Sequence, residues 1–158
     1  MRSFKDEAVV LKKINFGEAD RVVTLMTKNH GKVKVLAKGV RRPSSRKGGN
    51  LDVLNHVEIF VAKGRNLDLV TQAQALNVHS KIKNEVKLVS KSLYLCELVD
   101  GLCAEEQVLP FVFELLILTL SEFHQASTAK LWEFEFKLLS HLGFINESQK
   151  PHRKSLKA

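Results

Sequence analysis

Between Lys28 and Lys47 the chain carries Lys28, Lys32, Lys34, Lys38, Arg41, Arg42, Arg46 and Lys47, and no Asp or Glu. Clustered cations suit a polyanion, because each phosphate they neutralise releases counterions. A charged run is more often a solvated face. Here the absence of any acid favours a nucleic-acid partner. An anionic membrane surface fits less well, since no amphipathic helix carries these charges.

Other residue types offer little chemistry. Gly17-Glu18-Ala19-Asp20-Arg21 sets two carboxylates beside a cation. Paired carboxylates can serve as acid and base or hold a metal, but no His or further acid accompanies them, and restraint of a turn is the expected role. The six His are scattered, without an HExxH spacing, and neither a phosphate loop nor a nucleophile elbow is present. Cys96 and Cys103 lie two helical turns apart, about 10.5 Å, too far to bridge. With no Cys-x-x-Cys pair they are expected to be core residues, and no zinc or other cofactor is implied. The pattern is that of a binding protein rather than an enzyme. Among aromatics in this half, Phe60 is expected to point inward and Phe16 to sit in a turn, the better candidate for base stacking.

The elements that must carry these residues follow from composition and periodicity. The 158 residues are 44% hydrophobic and 27% charged, with 3 Pro and 8 Gly, as in a globular chain. Val108 to Leu120 is the longest apolar stretch, interrupted by Pro110 and Glu114 and shorter than the roughly 20 residues of a membrane span. The N-terminus lacks an apolar signal core, so a cytoplasmic location is expected. Residues 1–80 hold 15 Lys and Arg against 7 Asp and Glu, whereas residues 81–158 hold 10 of each. The whole net charge of +8 therefore lies in the first half.

The first half reads as five short strands. Ala8 to Leu11 and Val22 to Met26 are apolar runs, and Asn29-His30-Gly31 signals a hairpin. In Lys32 to Lys38, Val33, Val35 and Ala37 alternate with an expected cationic outer face of Lys32, Lys34 and Lys38. Gly39 to Asn50 reads as an exposed, mobile loop. Val57 to Val61 and Leu67 to Ala73 complete a small barrel, which periodicity alone leaves open between the OB-fold and an SH3-like form. The second half is helical. Val86, Val89, Leu93, Leu98 and Leu102 form one stripe, and Pro110 opens a second, centrally buried helix. Thr128 is the expected cap of a third, with Gly143 as its stop. Trp132, Phe134 and Phe136 beside Lys130 and Lys137 could form a patch for a peptide with an acidic, aromatic tail, but core packing is the expected role. The organisation is then a barrel over residues 1–78, a helical unit over 79–145 and a basic tail over 146–158.

Several segments together resemble the RecO family. They are Gly17-Glu18-x-Asp20-Arg21-x-Val23-Thr24-Leu25-x-Thr27, His30-Gly31-Lys32, Ala37-Lys38-Gly39-x-Arg41-Arg42-Pro43-x-Ser45 and Leu51. Glu97-Leu98-x-Asp100 and Phe136-x-Leu138-Leu139-x-x-Leu142-Gly143 extend the likeness over nearly all of the chain. The resemblance implies an α+β protein, an OB-fold barrel followed by a helical domain, in a bacterial, nucleoid-associated DNA-repair and recombination mediator. It implies binding of single- and double-stranded DNA, strand annealing, partnership with RecR and single-strand-binding protein, and through them loading of RecA. Lys38, Arg41 and Arg42 are carried over as DNA-contacting; Lys34 and Arg46 are added on charge alone. The family's Cys-x-x-Cys pair after the Leu-Gly segment is missing beyond Gly143, as in an unusually short form or a truncated sequence. The alternative function is an adaptor whose basic patch meets an acidic tail, such as that of single-strand-binding protein.

Overall fold

The computed structural model describes residues 3–146 and Ser148. Most of the expected basic tail lies outside these. Five strands, β1 (Phe4–Phe16), β2 (Asp20–Thr27), β3 (Lys32–Ala37), β4 (His56–Ala62) and β5 (Asp68–Asn77), close a barrel in the order β1-β2-β3-β5-β4. All neighbours are antiparallel except β3 and β5, which run parallel. Together with the short helix α1 (Lys47–Asn50) between β3 and β4, this is the OB-fold arrangement.

The helices are α2 (Ser80–Lys83), α3 (Val86–Leu102), α4 (Pro110–Glu122) and α5 (Ser127–His141). Pro110 opens α4, where its missing N–H costs nothing. Gly143, at φ +83°, ends α5: its N–H donates to the Ser140 carbonyl and that of Phe144 to Leu139, a Schellman closure. Three expectations are corrected here. Ala126, in a left-handed conformation, is the cap of α5 in place of Thr128. The Thr128 hydroxyl, like that of Ser127, instead accepts from Lys91 Nζ. On α3, Val86 and Leu93 face solvent, while Leu88, Leu95, Cys96 and Val99 are buried. Its buried side packs with the outward residues Val9 and Leu11 of β1 and with α4 and α5. On α4, Phe111 and Leu118 are exposed, so it is not buried all round.

Two apolar clusters explain why Ala8 to Leu11 reads as a continuous run. Ala8 and Val10 join Val23, Leu25, Val33, Val35, Val57, Ile59 and Val61 inside the barrel. Val9 and Leu11, with Met26 and Leu54, join the core of α3, α4 and α5, which includes Leu95, Leu116, Phe134 and Leu138. One strand thus has a hydrophobic face toward each cluster, and its burial holds the helices against the barrel.

Candidate nucleic-acid interface

The basic stretch divides in two. Its first part is spent on the helical half. Lys28 Nζ lies 3.6 Å from the Glu114 carboxylate and Lys34 Nζ 3.3 Å from that of Glu105. Lys32, expected on an outer cationic face, is buried. Its ammonium donates to the Asp100 carbonyl at 2.6 Å and to that residue's carboxylate at 3.2 Å. Lys32 is held inward because the carbonyl of Asp100, in the last turn of α3, and the carboxylate of the same residue accept its ammonium. Gly31, at φ +70°, lets the loop between α3 and α4 come close, because a Cβ there would collide with the Gln107 carbonyl.

The second part is presented outward. Beyond β3 the chain makes two turns, with the Arg42 N–H donating to the Gly39 carbonyl and that of Ser45 to Arg42. Val40 and Leu51 are buried and anchor both ends. Arg41, Arg42, Ser44 and Arg46 are exposed, as expected of this loop, and the short helix α1 at its end is an addition to that expectation. The segment forms, with β5, an open cleft of about 440 Å³ lined by Lys38, Arg42, Arg46 and Lys47 together with Ser44, Ser45, Thr71 and Gln72. Among the described residues, no Asp or Glu lines it. Among the described residues, no acid lies within ion-pair distance of Lys38, Arg41, Arg42, Arg46 or Lys47.

Of the five residues singled out from sequence, Lys38, Arg42 and Arg46 share this cleft. Arg41 stands beside it, its Nη1 donating to the Gly17 carbonyl at 3.2 Å. Lys34 lies outside the cleft, paired with Glu105. Sequence reasoning left Thr71 and Gln72 unmarked, because neutral residues on a distant strand give no local signal.

The two motif segments touch. The Asp20 carboxylate accepts the Gly39 N–H at 2.7 Å, and the Ala19 carbonyl accepts the Arg41 N–H at 2.9 Å. Gly17-Glu18-Ala19-Asp20-Arg21 is thus a brace for the cationic segment, in keeping with the turn role expected of it. Gly39, at φ +65°, turns its N–H toward that carboxylate without strain.

The two cysteines are not exposed nucleophiles. Cys96 is buried, and burial, then the nearby Glu97 and Asp100 charges, pushes its thiol up to about 12. Burial also raises Cys103. Neither supplies a thiolate near neutral pH. Among the described residues no three His, Cys, Asp or Glu gather as a metal site, and no helix is long and apolar enough to cross a membrane.

The family model for the N terminal of recombination protein O matches residues 1–79, and that for its C terminal matches 87–151. The chain belongs to the RecO family. Curated relatives named DNA repair protein RecO agree. That of Dehalococcoides mccartyi (strain BAV1) is 33% identical over 156 residues, covering 96% of this chain and 62% of its own length. That of Nocardioides sp. is 43% identical over 116 residues, covering 73% and 47%, and that of Bifidobacterium adolescentis is 42% identical over 108 residues, covering 68% and 44%. This RecO-family chain therefore spans less than two thirds of the length of the relatives it matches.

Proposed function

We propose that this chain is a non-enzymatic DNA-binding recombination mediator that holds strands by their phosphates in the cleft between the β3–β4 segment and β5. The observation that carries this reading is four cations lining one cleft with no acid among its walls. Lys38, Arg42 and Arg46 make the main contacts, and Arg41 extends the surface. Screening phosphate repulsion on two strands at once lets complementary strands meet, and annealing of this kind needs no catalytic residue. The relatives' name, DNA repair protein, supports the same reading. On it, RecR and single-strand-binding protein are partners, RecA loading follows, and the site of action is the bacterial nucleoid.

The test is annealing of complementary strands coated with single-strand-binding protein, with and without RecR. Faster annealing is expected, and its loss on charge reversal at Arg42 and Arg46. Unchanged annealing in that variant would overturn the assignment. Separate titrations with an oligonucleotide and with an acidic tail peptide distinguish DNA binding from an adaptor role; saturation by the peptide alone would favour the adaptor.

A further inference from the structure

We infer that Phe60 is a base-stacking platform for single-stranded DNA, set one strand away from the cationic cleft. The inference rests on the DNA-binding reading and adds to it a residue that distinguishes single strands from duplex. On β4, Ile59 and Val61 fill the barrel interior at 1% exposure, whereas Phe60 between them is 41% exposed. Its ring therefore has no part in the core, contrary to the inward orientation expected from its apolar character. The strand alternation decides the matter: Phe60 shares its face with Glu58, not with Ile59.

Register links this ring to the cleft. Phe60 pairs with Lys5 of β1 on one side and with Gln72 of β5 on the other. All three side chains are exposed, so Lys5, Phe60 and Gln72 form one row across the outer face of the sheet. Gln72 is also a wall of the cleft that holds Lys38, Arg42 and Arg46. Directly opposed side chains are about 5 Å apart, so a strand leaving the cleft over Gln72 meets the phenyl ring next. Thr71, the adjoining wall residue, donates its hydroxyl to the Phe60 carbonyl at 3.3 Å and ties the two strands at this point.

The chemistry beside the ring suits a nucleotide. Lys5 Nζ lies 5.9 Å from the ring centroid and 3.4 Å from the Glu58 carboxylate. It offsets the Glu58 charge and brings a cation to the phosphate of a stacked nucleotide. Stacking needs a base with a free face, which an unpaired strand offers and a duplex interior does not. No base edge need be read, so the platform accepts any sequence.

The experiment compares Phe60→Ala with wild type on three ligands: a thymidine oligonucleotide, an abasic strand with the same number of phosphates, and a duplex. Loss of affinity of about 5-fold to 100-fold is expected on the oligonucleotide, with the abasic strand and the duplex unaffected. A second measurement places a reporter at the site, Phe60→Trp in a Trp132→Phe background. Its emission is expected to fall on adding the oligonucleotide and to stay constant with the abasic strand. Equal binding of all three ligands by wild type and Phe60→Ala, or an emission change identical for both single strands, would overturn the proposal. Failure of the cationic reading shows separately: charge reversal at Arg42 and Arg46 would then leave the abasic strand bound as before, whichever way Phe60→Ala falls.

Discussion

Lys32 and Arg42 stand ten residues apart in one basic run and have opposite uses. Lys32 is buried, with its ammonium on the C-terminal end of α3, and Arg42 lines the open cleft. Lys32→Ala is expected to lower stability by about 1–3 kcal/mol, since it leaves the part-buried Asp100 carbonyl and carboxylate without this donor, while the folded variant binds DNA as before; chemical denaturation and an oligonucleotide titration check both. His79 gives a second prediction. Its side chain is buried at a left-handed backbone position, its Nε2 has no hydrogen-bond partner among the described residues, and its pKa is lowered to about 4 by burial, then by the charges of His56 and Lys83. The folded state stays neutral while the unfolded chain takes a proton below about 6.5. Stability is therefore lost as pH falls from 6.5 toward 4, by about 2 kcal/mol at pH 5. His79→Asn, which tolerates the same backbone, should flatten that part of the profile. A difference between the two profiles near zero would mean that His79 does not titrate as described.

The elements show what sequence makes legible and what it does not. The five strands follow from alternation and turn residues, and the cationic segment from charge, which a side chain carries whatever its surroundings. The use of each cation depends on partners far along the chain: Asp100 for Lys32 and Glu105 for Lys34. No local pattern carries that information. The parallel pairing of β3 with β5, which builds the far wall of the cleft, is equally non-local. Phe60 is different, because its alternation with Ile59 and Val61 already shows the outward face; apolar character outweighed it. The brace between β1–β2 and the cationic segment yields a prediction in which two effects oppose. Asp20→Ala removes a negative charge near the cleft, which alone would strengthen DNA binding. It also frees the Gly39 N–H and loosens the segment. Weaker binding, by a few-fold in a fluorescence titration, is the expected result; stronger binding would show that the brace does not matter.

In the whole molecule, barrel and helices share one apolar cluster through Val9, Leu11, Met26 and Leu54, and ion pairs from Lys28, Lys32 and Lys34 cross the same junction. The barrel and helical halves are therefore expected to unfold together: hydrogen exchange in β2 and β3 should report the same global opening energy as in α4. The neutral charge balance of the helical half fits this arrangement, since its acids meet the first part of the basic run and leave the second part open. On the proposed function, this open part neutralises phosphates. That role is tested most directly by the salt dependence of single-strand binding in wild type and in the Arg42→Gln, Arg46→Gln double variant. About four phosphates neutralised give a slope of log K against log salt near −2.8, and removing two cations should bring it to about −1.4. Equal slopes and affinities for the two proteins would show that Arg42 and Arg46 neutralise no phosphate.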